Sequence, residues 1–168
     1  MIGALLLTVI GGSDSSTPEP GAFGQHYRGL EQRRLQAGVP TMAEGGGSHF
    51  HPRLSVYANG KRVKVPANIG IDPTNPPTEM AGLHTHDESG MIHNEAGDGA
   101  TLGDFFAIWG VPIGAQRLGP YRAGGAKAVR MWVDGKPSQH FAGLVLEDRQ
   151  RIVVAYGTSG QIPDSISG

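Results

Sequence analysis

The sequence contains no cysteine among its 168 residues. This absence excludes disulfide bonds, cysteine-ligated zinc fingers, thiolate nucleophiles and iron–sulfur ligation. Charge is also sparse: 17% of the residues are charged, the net charge is -1, and there is no long basic run. Because nucleic-acid binding requires a concentrated positive surface, we expect no nucleic-acid partner.

Long hydrophobic runs are scarce, and the clearest one is the N-terminal segment Met1 to Ile10. Ten helical residues span about 15 Å, whereas a bilayer core is about 30 Å thick, and no basic residues precede the run as in a full signal peptide. Three interpretations stay open: part of a longer membrane anchor or signal, an unusually short signal or anchor, or a buried strand. The Ser-, Thr-, Pro- and Gly-rich stretch Gly11 to Gly24 is typical of a linker and favours the first two. We therefore expect membrane association through this segment and an extracytoplasmic location, either periplasmic or at the cell surface.

Glycine and proline, in contrast, are abundant, with 27 and 12 residues respectively, which favours short strands, turns and loops. We divide the chain into an apolar segment and linker (1–24), a helix with a glycine-rich joint (25–48), an α+β domain (49–163) and a tail (164–168). The helix is predicted over Gln25 to Val39, with Tyr27, Leu30 and Leu35 as its apolar stripe.

The pattern after His49 predicts an α+β fold. Asn59-Gly60 is a strong hairpin signal between alternating strands, because a type I′ turn needs positive φ at both central residues. Thr101 and Asp104 resemble a capping box at the start of an apolar helix that ends at Gly110. A loop (114–125), a strand with a second turn and a final buried strand follow. We expect a small mixed β-sheet with one main crossing helix, similar to the β-grasp fold; the alternative is a β-sandwich or barrel with one helix.

Five of the seven histidines lie between positions 49 and 93. They are arranged as two His-x-His pairs and one further residue, namely His49, His51, His84, His86 and His93. On a strand, residues i and i+2 point to the same face, about 6.5–7 Å apart, so two imidazoles can converge on one ion. We predict that pairs on adjacent strands supply four ligands and that His93, on the next strand, supplies a fifth.

The ligand type restricts the metal. Imidazole without thiolate suits Zn(II), Cu(II), Ni(II) or Fe(II), and two pairs of nitrogens favour Cu(II) or Zn(II) as the cofactor. Asp87 is a candidate for holding the second ring N–H of a liganding histidine, or is a turn residue before Ser89. Glu95 is a candidate ligand or general base, or a solvated strand carboxylate. The alternatives for the whole cluster are a pH-sensitive hydrogen-bond network and a cluster without function.

A set of motifs runs through the central part of the chain: the His-x-His strand at His49-Phe50-His51, LHTHD with SG and IH from Leu83 to His93, and LG-x-FF-x-x-WG from Leu102 to Gly110. In this pattern the chain resembles an uncharacterised family of exported or membrane-anchored bacterial and archaeal His-rich domains, over about Val39 to Pro163. The resemblance implies that the histidines are the functional residues and that the location is extracytoplasmic. It implies no particular reaction. Relatives often have Glu followed by Ser after the last histidine strand, whereas here Glu95 is followed by Ala96.

Three functions follow as hypotheses. The first is an extracytoplasmic module that holds or delivers Cu or Zn. The second is a structural or accessory subunit of a membrane protein complex. The third is a zinc-dependent hydrolase or lyase with a water on a three-histidine zinc, which is less favoured because the sequence contains no assured catalytic base and no pocket signature. Other enzyme classes are not indicated, since the sequence contains no nucleophile elbow, P-loop or dinucleotide fingerprint.

Overall fold

A computed structural model describes residues 21–43, 49–74 and 80–162. In chain order the elements are α1 (Leu30–Ala37), β1 (Thr41–Met42), β2 (Arg53–Ala58), β3 (Lys61–Val63), β4 (Met80–Ala81), β5 (Leu83–His84), β6 (His93–Asn94), α2 (Leu102–Trp109), β7 (Ile113–Gly114), β8 (Arg117–Leu118), β9 (Tyr121–Arg122), β10 (Ala128–Val133), β11 (Lys136–Ser138) and β12 (Arg151–Gly157). Two 3-10 turns cover Phe141–Gly143 and Ser159–Gln161.

The main sheet has five strands in the order β11-β10-β12-β2-β3. The central pair β12 and β2 is parallel, and the other three pairs are antiparallel. The first and last strands of the sheet are thus side by side, with a hairpin on each flank and α2 between the hairpins in sequence. This is the β-grasp arrangement, so the predicted α+β fold is confirmed. The described residues form no closed barrel.

The core lies between α2 and one face of the main sheet. Alternate residues of β2, such as Leu54 and Val56, are completely buried, because side chains on a strand alternate between its two faces. They join one hydrophobic cluster with Phe105, Phe106 and Trp109 of α2. The apolar stripe of this short helix is therefore satisfied by the sheet, as the helical spacing of its aromatic residues predicted.

Local signals in the sequence set the ends of these elements. The Thr101 side chain accepts from the Asp104 amide, and the Asp104 carboxylate accepts from the Thr101 amide, so the predicted capping box is present. Gly110 ends α2 in the left-handed conformation. Asn59 and Gly60 have φ of 50° and 80°, as the predicted type I′ turn requires.

Two regions differ from the sequence prediction. Helix α1 begins at Leu30 rather than near Gln25, and Leu35, which the stripe placed inside, is 63% exposed. Helix α1 buries a single residue, Leu30, so it also depends on polar contacts with its neighbours. One of these is the hydrogen bond that Arg33 donates to the Ile108 carbonyl at the end of α2. The predicted loop 114–125 contains the short strands β8 and β9, which pair with each other and with β7.

The segment before the histidine domain packs on the same core. Phe23, Leu30 and Val39 are buried in the main cluster, and β1 pairs with β4. The apolar segment Met1 to Ile10 and its linker up to residue 20 lie outside the described residues. Among the residues that are described, no helix is both long enough and apolar enough to span a bilayer.

Trp109 provides a test of this core. It is 1% exposed, lies 5.3 Å from the Phe106 ring and donates through Nε1 to the Gly24 carbonyl at 3.0 Å. We expect Trp109→Ala to lower the free energy of unfolding by about 3–5 kcal/mol, because it leaves a large cavity. Urea denaturation measures the change, with Leu35→Ala, at an exposed site, as the control. Equal midpoints for both variants would contradict the packing described here.

Candidate metal centre

Three short strands bring the five histidines together. The segment around Phe50 pairs antiparallel with Asn94, and on its other side β6 pairs antiparallel with β5. Asn94 therefore lies between Phe50 and Leu83. One residue away, by the same registers, His93 lies between His51 and His84. The sequence analysis had predicted that the two His-x-His pairs lie on adjacent strands. In the structure the strand of His93 lies between them, so the two pairs are not direct neighbours.

Strand alternation puts all five imidazoles on one side of this small sheet. Leu83 and Ile92 point into the core and are fully buried, and the histidines next to them in sequence point the opposite way. The exposure of these imidazoles differs: His84 is completely buried, whereas His86 is exposed. The cluster is thus a site with a buried inner part and an outer part that solvent reaches.

The imidazole rings are in mutual contact, with His93 in the middle. The centroid of its ring lies 4.5 Å from that of His86, 4.8 Å from His51, 5.1 Å from His84 and 5.5 Å from His49. Two groups of three histidines each offer one nitrogen per residue within 4.8 Å of the others: His49, His51 and His93, and His84, His86 and His93. These groups could hold a metal ion. The remaining histidines, His26 and His140, belong to neither group.

The Ala81 carbonyl fixes the orientation of the His84 ring. Its Nδ1 lies 2.9 Å from the Ala81 carbonyl oxygen, which can only accept, so Nδ1 carries the proton and Nε2 carries the lone pair. That Nε2 lies 3.2 Å from His86 Nε2. Neighbouring nitrogens around a tetrahedral ion with metal–nitrogen bonds of 2.0–2.1 Å are about 3.3 Å apart. The pair therefore matches the spacing that a bound ion requires, with the second ring nitrogen anchored as in most metal-ligating histidines.

The loop preceding β4 locks His84 in this position. Gly70 has φ of +77°, and a Cβ there would lie 2.5 Å from the Leu83 carbonyl oxygen and 3.2 Å from His84 Cβ. The loop also hydrogen-bonds along the strand, since the Thr85 amide donates to Ile69 and the Ala81 amide donates to Gly70. A glycine is therefore required at position 70 for the close approach that fixes the His84 backbone.

Electrostatics keep the inner histidines neutral. Burial, followed by the charges of the other four imidazoles, lowers the pKa of His93 from 6.5 to about 4. Burial also lowers the pKa of His84, although the bond to Ala81 opposes the shift. Because imidazole must be neutral to ligate a single metal ion, both residues are already in the ligating form at neutral pH.

The two acidic candidates have different partners. Glu95 is buried, and its Oε1 lies 2.8 Å from His49 Nε2, so it belongs to the cluster rather than to a solvated strand surface. Asp87 is exposed, and its Oδ1 accepts from the Ser89 amide at 2.8 Å, the contact of a turn-forming residue. A hydrogen bond from the Ser89 hydroxyl, followed by this amide bond, lowers the pKa of Asp87.

Further contributors could not be identified from the sequence. The His51 amide donates to Asp148 Oδ1 at 3.0 Å, which anchors the first histidine pair to a loop 97 positions away. The Ala81 carbonyl and Gly70 act through the backbone, and such a role cannot be predicted from the residue type. Each depends on a contact between distant parts of the chain, so only the fold reveals it.

No protein family, curated protein or solved structure matches the chain. The function is therefore inferred from the geometry of the residues themselves.

The lowered pKa of His93 predicts acid sensitivity of the metal-free protein. The unfolded chain binds a proton at a histidine near pH 6.5, whereas folded His93 does so near pH 4. Between these values the unfolded state binds more protons, so stability falls as the pH decreases from about 6.5 to about 4. Urea midpoints in the presence of a chelator, measured across this range, should decrease less steeply in His93→Asn than in the wild type.

The matched control is His140→Asn, since His140 is exposed and lies outside the cluster. It should retain the pH dependence of the wild type. If the His93→Asn profile parallels that of the wild type, His93 does not carry the acid sensitivity.

Proposed function

We propose that this protein is an extracytoplasmic metal-binding module that holds or delivers Cu(II) or Zn(II) through its histidine cluster. The observation that carries the proposal is the His84–His86 pair: two ring nitrogens face each other at 3.2 Å, and one of them has its lone pair fixed by the Ala81 carbonyl. His93 completes this group. Such preorganised ligands lose little conformational entropy when an ion binds.

The difference in burial between His84 and His86 favours a site that holds a metal ion and can also exchange it. His84 is completely buried and hydrogen-bonded, so it provides a fixed point of attachment. His86 is exposed, so an ion can enter and leave past this residue without opening the core. This combination suits a protein that takes up a metal from solution or passes it to a partner.

A hydrolytic role receives less support. A zinc hydrolase needs a carboxylate placed to take a proton from a bound water. Glu95, the candidate from the sequence, lies 2.8 Å from His49 Nε2 and thus engages a histidine of the cluster. A groove of about 490 Å³ between α1 and the end of α2 has none of the five cluster histidines among its lining residues. An accessory role in a membrane complex remains a second proposal, based on the N-terminal sequence alone.

The first test is metal uptake. Purified protein should bind Cu(II) or Zn(II), and His84→Ala and His86→Ala should each weaken binding at least tenfold, because each removes one nitrogen of the preorganised pair. Titration calorimetry with elemental analysis measures affinity and content. His26→Ala and His140→Ala are the matched controls and should bind as the wild type does, since neither residue belongs to a histidine group.

Far-UV circular dichroism of each variant separates lost ligands from lost folding. If the wild type and the His84/His86 double variant take up the same amount of metal at the same affinity, the proposed function is wrong.

The location is tested separately. The apolar segment Met1 to Ile10 and the linker after it support membrane association. In a bacterial host, we expect the full chain to fractionate with the membrane or the periplasm, and a chain beginning at Gly21 to remain soluble and folded. This shorter chain retains Phe23, the first buried core residue in the part of the chain that the structure describes. A full chain found in the cytoplasm would contradict the extracytoplasmic part of the proposal.

A further inference from the structure

The two histidine groups are distinct but share one member. His49 and His51 lie on one side of the middle strand, His84 and His86 lie on the other, and His93 belongs to both groups. We propose that the cluster binds two metal ions and that the imidazole of His93 bridges them. The inference rests on the proposed function for the ion at His84, His86 and His93, and it adds a second ion at His49, His51 and His93.

The chemistry of imidazole permits this role. The ring has two nitrogens whose lone pairs diverge, so one ring can ligate two ions. His93 Nδ1 lies 3.3 Å from His49 Nε2, which assigns this nitrogen to the second ion. We assign the other nitrogen, Nε2, to the ion on the side of His84 and His86, whose rings have centroids 5.1 Å and 4.5 Å from that of His93.

The bridge requires one proton to leave. Neutral His93 carries a single N–H, and both nitrogens can donate an electron pair to an ion only after that proton passes to solvent. The resulting imidazolate carries one negative charge between two dications. The buried carboxylate of Glu95 supplies a second negative charge beside His49, so the repulsion between the ions is partly compensated.

The two positions differ in their surroundings. Each group offers three histidine nitrogens, which leaves a fourth position of a tetrahedral ion open for an incoming ligand. The group of His49, His51 and His93 also has a buried carboxylate beside it, since Glu95 Oε1 lies 2.8 Å from His49 Nε2. We therefore assign the held ion to the side of Glu95 and the exchangeable ion to the side of exposed His86.

The experiment uses the full chain and Cu(II) or Zn(II) alone as probes. Native mass spectrometry should show two ions per wild-type chain. His51→Ala should retain one ion, His86→Ala should retain one ion, and Glu95→Gln should weaken the second ion while the first remains. His140→Ala is the control and should bind two. Circular dichroism confirms folding of each variant.

Electron paramagnetic resonance tests the bridge itself. Two Cu(II) ions joined by an imidazolate couple their spins, so the signal of the dicopper protein should be much weaker than that of two isolated Cu(II) ions. A protein loaded with one Cu(II) and one Zn(II) should regain the full signal of a single Cu(II). Two bound Cu(II) ions with uncoupled spins would overturn the bridge.

The outcomes separate the two proposals. A wild type that binds one ion, through His84 and His86 and unaffected by His51→Ala, would overturn the second site and leave the proposed function intact. A wild type that binds no ion would overturn both. Two ions that are lost independently in His51→Ala and His86→Ala support the two-ion site.

Discussion

The pairing of the middle strand β6 with its two neighbours is the constraint on which the site depends. The side-chain period of a strand is two residues, so a slip of one residue would turn every histidine of a strand into the core and bring Leu83 or Ile92 out. The register that places Asn94 between Phe50 and Leu83 prevents this slip, because the apolar side of the small sheet is buried against the main core. The hydrophobic effect on one side therefore positions the imidazoles on the other.

Burial of the cluster also has an electrostatic cost, which the surrounding residues reduce. His84 loses contact with water, but its Nδ1 proton has a backbone partner in Ala81. Glu95 is equally buried and lies beside His49. Each inner polar group is thus held by a specific contact rather than by solvent, as buried polar groups require. The positions of the nitrogens are consequently defined before any ion arrives.

Much of this arrangement was predictable because it depends on local patterns. The two His-x-His spacings predicted imidazoles on a common side, the Asn59-Gly60 pair predicted its hairpin, and Thr101 with Asp104 predicted the start of α2; the structure confirms all three. The fold class followed from the order of these elements.

The remaining features depend on long-range contacts, which leave no local pattern. The central place of His93, the complete burial of His84 and the contact of Glu95 with His49 all require knowledge of which strands are neighbours. The contact that holds α1 is also long-range, because Arg33 donates to the Ile108 carbonyl at the end of α2 across 75 positions. The location and the domain boundaries, in contrast, stay predictions.

The parallel pair β2 and β12 determines when the site can form during folding. The segment of His49 and His51 leads directly into β2, which pairs with β12, the last strand of the sheet, and His51 is anchored by Asp148 just before β12. These contacts close loops of about a hundred residues, which is slow compared with hairpin or helix formation. The group of His49, His51 and His93 is thus completed late, after β12 has docked. His84, His86 and His93, in contrast, meet through the local pairing of β5 with β6, so the two halves of the cluster form at different stages of folding.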